Sequence, residues 1–159
     1  MALSSSVAGL GSSTGATILS EAATNLENGN WTQGAFLGFL DNSGKKEPCF
    51  CAHGSIGYCG NDPFKVRDKI DRGKQVIIGM DLPPTMVSNN SERFKSRQKS
   101  FQTDPQLQPY YHLWLAQSFA WTVGCTYAWN DTPGRTKIEV IAKLREAALL
   151  AADQQDQYL

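Results

Sequence analysis

The sequence predicts a mainly α, small single-domain helical bundle with a short strand pair and an irregular middle insertion. Two stretches carry apolar residues at the i, i+3/i+4, i+7 spacing of an amphipathic helix, one from about Thr17 to Leu26 and one running on from Thr136. A third, YYHLWLAQSFAWTV up to about Val123, is apolar nearly all round, which suits a helix buried at the centre of a bundle. The 159 residues are the length of one domain, here spanning 17–152 between a Ser/Gly/Ala-rich segment 1–16 and a polar tail 153–159, with 60–110 as the insertion.

The elements follow in order. Ile18, Leu19, Ala22, Ala23 and Leu26 form the face of the first helix, and Asn28-Gly29-Asn30 ends it. Trp31–Leu40 suits either a short strand or an irregular buried segment, and Asp41–Lys46 reads as a polar turn. A short, small-residue helix is expected from about Cys51, where Gly and Ser permit close packing. Asp62-Pro63 reads as a helix start, with Asp as N-cap and Pro at the first helical position. Residues 76–80 suit a short strand before Pro83-Pro84, and the polar residues 88–100 suit an exposed loop or frayed helix. Asp104-Pro105 or Pro109 opens the buried helix. Thr136 and Glu139 make a capping box for the last one, whose apolar face is Ile138, Val140, Ile141, Leu144, Ala147 and Ala148, with Lys143 and Arg145 outward.

Composition narrows the function classes. Fifteen Lys plus Arg balance fifteen Asp plus Glu; 41% of residues are hydrophobic and 19% charged. That excludes a disordered chain, a collagen, a coiled coil and a bulk polyanion binder. No run of eighteen apolar residues predicts a membrane span, and the N-terminal residues lack the pattern of a signal peptide, so a cytoplasmic protein is expected. Cys49, Cys51, Cys59 and Cys125 are then read as reduced thiols.

Three segments line up with one pattern: Gly29-Asn30-Trp31-Thr32-Gln33-Gly34, Cys51-Ala52-His53-Gly54-Ser55-Ile56, and Trp129-Asn130-Asp131-Thr132-Pro133-Gly134-Arg135 running into Thr136–Val140. Together they resemble a family of small bacterial and phage proteins catalogued as domain of unknown function 6197. The resemblance covers roughly residues 17–150 apart from about 60–110, and Cys49 and Cys59 are additions to the family pattern. It implies a small helical fold and intracellular use, and it implies no reaction.

Several constellations have both a chemical and a structural reading. Cys49, Cys51, His53 and Cys59 supply the four ligands of a zinc site, although zinc knuckles normally separate paired cysteines by two residues; buried thiols are the simpler reading, and no cofactor is expected. Cys51 with His53, or Cys125 with His112, has the residue types of a nucleophile and its base, but i, i+2 residues do not face each other on a helix. Trp129, Asn130, Asp131 and Arg135 suit a small-ligand site, or more simply a turn that Asp131 ties to backbone N–H groups and Trp129 anchors, with Arg135 pairing Asp131 or capping a carbonyl. Arg93, Lys95, Arg97 and Lys99 with Phe94 suit an acidic partner or single-stranded nucleic acid, in a stretch (61–100) with nine basic against five acidic residues. The GxGxxG and HExxH signatures and the P-loop are absent.

The leading expectation is a small non-enzymatic protein-binding or assembly component, intracellular or phage-encoded, acting as a virion or multi-subunit complex subunit through a protein partner or its own copies. The alternatives are a small-ligand-binding protein or thiol-dependent enzyme with a site near Cys51, His53, Asp131 and Arg135, and a nucleic-acid-contacting accessory protein acting through the 93–99 loop.

Overall fold

A computed structural model describes residues 14–60, 84–88, 90–154 and 157–158. The helix start at Asp62-Pro63 and the strand at 76–80 lie outside those residues, as does most of the 1–16 segment.

Helix α1, Gly15–Asn28, starts two residues before the periodicity because Thr14 caps it, its hydroxyl accepting the Thr17 N–H at 3.2 Å. Apart from Gly15, its buried residues are those the spacing predicts. A small sheet follows: β1 (Asn30–Trp31), β2 (Leu37–Asn42) and β3 (Lys45–Phe50), in the order β1-β3-β2. β3 runs parallel to β1 and antiparallel to β2.

The polar turn is tighter than the composition of 41–46 suggested. Ser43 (φ 55°) and Gly44 (φ 81°) alone make the two-residue hairpin turn, whose left-handed pair matches the twist of the strands. Lys45–Phe50 is therefore a strand, despite Pro48. β1 reaches only Cys49 and Phe50, so Pro48 lies beyond its end, at a position where a missing donor breaks no bond on that side.

β3 ends at Phe50 and helix α2 spans Ala52–Gly60, leaving Cys51 at the junction. Of the exposed loop and the frayed helix expected for 88–100, the structure has a helix, α3, Glu92–Thr103. Ser91 caps it, and it buries Phe94 and Phe101, two turns apart. Their rings stack on Trp114 at 5.3 and 4.7 Å, both at 19°. After a 3-10 turn at Gln108–Tyr110 comes helix α4, Tyr111–Thr122, buried on nearly every side as its sequence required. A single turn, α5 (Tyr127–Asn130), leads to helix α6, Lys137–Gln154.

The capping box forms reciprocally. Glu139 Oε1 accepts the Thr136 N–H at 2.9 Å, and Thr136 Oγ1 accepts the Glu139 N–H at 3.2 Å. Val140, Leu144, Ala147, Ala148 and Ala151 make the inner face, whereas Ile138, expected there, is 79% exposed. Ile138 is about 200° around the helix from Val140, which is fully buried, and so points away from the inner face. α1 packs along α6 and also meets α2 and α4. The polar tail does not simply fray: Tyr158 is buried, its carbonyl accepting the Tyr111 hydroxyl at 2.7 Å and its ring set edge-on to Phe94. Among the described residues, no helix is long and apolar enough to cross a membrane.

Because α3 owes its docking to two phenyl rings, Phe94→Ala is expected to lower unfolding free energy by about 3–5 kcal/mol. Lys95, exposed and 3.8 Å from Glu92, is expected to change it by less than about 0.5 kcal/mol when replaced by Ala. Equilibrium urea unfolding of the two variants tests the contrast.

Candidate functional site

The three sequence segments meet at one place, and the side chain of Asn130 joins them. Its Oδ1 accepts the Trp31 indole N–H at 2.9 Å and the Ala52 backbone N–H at 3.0 Å. Its Nδ2 donates to the Thr32 carbonyl at 3.3 Å and to Asp131 Oδ1 at 2.9 Å. A primary amide has two acceptor sites and two donor hydrogens, so every hydrogen-bonding capacity of this buried group is used. Gln33 adds to the joint, donating to the carbonyls of Asn130 and Thr132 at 2.9 and 3.0 Å. Asp131 Oδ1 also accepts the Gly34 N–H at 2.9 Å, holding the loop where Gly34 turns through φ 80°.

Between these segments lies a cavity of about 240 Å³. Gly34, Ala35 and Phe36 form one wall, Cys51 and His53 a second, and Tyr127, Asn130 and Asp131 a third. Phe36 and Tyr127 meet edge to face at 5.3 Å. The loop wall presses on α2 at Gly54, where a Cβ would collide with the Phe36 carbonyl, so only glycine lets the two backbones meet.

Cys51 stands at the N-terminus of α2, and its sulfur accepts the Gly54 N–H at 3.2 Å. That bond and the helix end favour a thiolate. Burial outweighs them and pushes the thiol up to about 11, so it stays protonated at neutral pH. His53 is fully buried and meets Trp121 and Tyr127 edge to face. Its Nε2 lies 2.6 Å from the Cys125 carbonyl, which only accepts, so the proton sits on Nε2. Nδ1 is left as a buried acceptor with no partner. Burial also lowers this imidazole from 6.5 to about 4, keeping it neutral.

The candidate residues thus separate. Asn130 and Asp131 reach the cavity with Cys51 and His53, while Trp129 and Arg135 do not line it. Arg135 takes the structural role: its guanidinium lies 4.1 Å over the Trp129 ring, donates to the Trp129 carbonyl at 3.0 Å and pairs with Glu139 at 3.1 Å. Asp131, the other partner weighed for it, bonds Gly34 and Asn130 instead. Cys51 and His53 share the cavity without a hydrogen bond from thiol to imidazole, since Nδ1 is unpartnered and Nε2 is taken. Cys125 is fully buried, its thiol raised to about 12, and His112 stands at the far end of α4, so that pair does not meet. Cys49, Cys51, His53 and Cys59 are not gathered around a point: among the described residues, no group of three or more His, Cys, Asp or Glu side chains could hold a metal ion.

Phe94, expected at a partner surface, is in the core. Arg93 and Arg97 are one turn apart on α3, as are Lys95 and Lys99, and the two pairs point about 200° apart around the helix, so the charges do not form one patch. Tyr127 and Phe36 were missed as wall residues. Their aromatic character was visible in the sequence, but nothing in their spacing ties them to Cys51.

Asn130→Ala removes the partner of two N–H donors and a carbonyl, and it is expected to lower stability by about 2–4 kcal/mol. Asn130→Asp keeps the acceptor but sets a carboxylate against Asp131, and should also destabilise; chemical unfolding of both checks this. His53 supplies a pH test. Between pH 6.5 and about 4 the unfolded chain binds a proton that the folded chain refuses, so stability falls as pH drops through that window. Fully developed, the loss from this group is about 3 kcal/mol. Unfolding free energies of the wild type and His53→Gln at pH 7 and pH 4 should differ in slope accordingly.

No curated protein and no solved structure matches the chain. Over residues 12–81, a stretch that holds the first two of the three converging segments, the chain matches the family model described as Family of unknown function (DUF6197).

Proposed function

We propose that this protein binds a small organic ligand in the cavity enclosed by the 33–36 loop, the start of α2 and the 127–131 turn. The observation that carries this reading is His53. His53 lines a cavity of about 240 Å³, and its fully buried imidazole keeps Nδ1 as an acceptor that no protein group uses. The volume suits a ligand built on one ring, given that benzene enters an engineered cavity of roughly 150 Å³.

Binding is favoured over thiol catalysis. A nucleophilic cysteine needs a base in contact and a thiolate at working pH, and here the thiol is raised to about 11 with no imidazole bonded to it. Binding is also favoured over the assembly reading. The large apolar side chains exposed among the described residues are Phe39, Leu40, Met86, Ile138 and Leu149. They are spread over β2, α6 and the segment before α3, and scattered apolar exposure of this kind is ordinary.

Cys51 provides the test, because an occupant of the cavity covers its sulfur. One-ring fragments would be screened by ligand-observed NMR, and iodoacetamide labelling of Cys51 and half-buried Cys59 followed by peptide mass spectrometry. Bound fragments are expected to slow labelling of Cys51 at least threefold and leave Cys59 unchanged. Fragments that bind without protecting Cys51, or a screen with no binder, would overturn the proposal.

A further inference from the structure

Resting on that reading, we infer that the cavity selects a cationic nitrogen ligand: a protonated amidine or amine carried on a small, flat body. Each wall contributes to this choice. His53 Nδ1 is an unpartnered acceptor, and the Cys125 carbonyl on Nε2 fixes it in that state, so it calls for a donor. Asp131, an exposed residue that lines the cavity, spends Oδ1 on Gly34 and Asn130, and Oδ2 takes no part in those two bonds. Asn130, whose amide could otherwise have served either polarity, has no capacity left. Among the described residues that line the cavity there is no Lys or Arg. Arg135, the nearest candidate from the sequence, is held on the Trp129 ring and Glu139.

Beside Asn130, the polar side chains that line the cavity are therefore a carboxylate, a neutral imidazole, a phenol and a thiol. An anion would meet Asp131 with no positive side chain to offset it. A cation gains the carboxylate and can also lie against the faces of Phe36 and Tyr127, whose π clouds attract positive charge. A planar group with several N–H donors can serve a carboxylate and a further acceptor, which a bare alkali ion cannot do.

Benzamidine, benzamide and benzoate are close in shape and differ in charge, so titration calorimetry of the three on the full chain tests the inference. Benzamidine is expected to bind at least tenfold more tightly than benzoate and to protect Cys51. Asp131→Asn keeps an acceptor for Gly34 and Asn130, so it should fold, and it is expected to bring benzamidine down to the affinity of benzamide. Glu27→Gln, which removes a carboxylate paired with Arg145 on the outer surface, should leave benzamidine binding unchanged. Benzoate or benzamide binding as well as benzamidine with Cys51 protected, or equal affinity of benzamidine for the wild type and Asp131→Asn, would overturn the inference while leaving the cavity reading intact. Protection of Cys51 by other fragments but by no cation would do the same. Protection by nothing at all would defeat the cavity reading itself.

Discussion

The amide of Asn130 is the constraint on which the rest of the site depends. It sits on a four-residue helix turn too short to hold a position by itself, and it ties that turn to two elements about eighty and one hundred residues earlier in the chain. Two of its bonds answer groups that burial would otherwise leave unsatisfied. The Ala52 N–H is one of the donors at the start of α2 that no helical carbonyl can reach, and the indole of Trp31 must bond its N–H once it leaves water. Neither a carboxylate nor an aliphatic side chain could serve both polarities. The network is therefore complete with Asn and incomplete with any other residue of that size.

That completeness decides what is left for chemistry. Asn130 faces the cavity but has nothing to offer it, and Asp131, its neighbour, keeps one oxygen. The same burial acts on the two groups that looked reactive. It holds the Cys51 proton on sulfur against the pull of a helix N-terminus, and it holds His53 neutral against the raising influence of its bond to a carbonyl. A more open site with identical residues would read as a thiol and a base. Desolvation turns them into a weak donor and a fixed acceptor, which are recognition groups.

The sequence made the helices with a strong face legible. α1, α4 and α6 follow from apolar spacing and, for α6, from a capping box whose two hydrogen bonds are both present. α3 was harder to see because only Phe94 and Phe101 mark its inner face, and their partner, Trp114, lies on another helix. β3 was hidden by Pro48, whose tolerance depends on where β1 stops, a fact of tertiary pairing. The site was legible as three motifs without their relation. Asn130 and Asp131 are alike on paper as polar turn residues; only the fold shows one of them spent on structure and the other shared. Arg135, equally suited to a ligand, is turned away by the indole beside it.

Asp131 shows why the two roles have to be separated by geometry rather than by residue type. Its Oδ1 fixes Gly34 and thereby the loop wall, while the contact of the Phe36 carbonyl with Gly54 fixes the other end of that wall. Loop and helix are thus locked before any ligand arrives, which removes an ordering cost from binding and sets the width of the cavity by backbone contact. A larger side chain at Gly54 would move the wall without touching a polar group. Loss of the Asp131 carboxylate would move the wall and remove the charge together, whereas Asn would remove the charge alone. The wall and the charge are carried by different oxygens of one side chain, so the cavity can keep its shape while its preference among ligands changes.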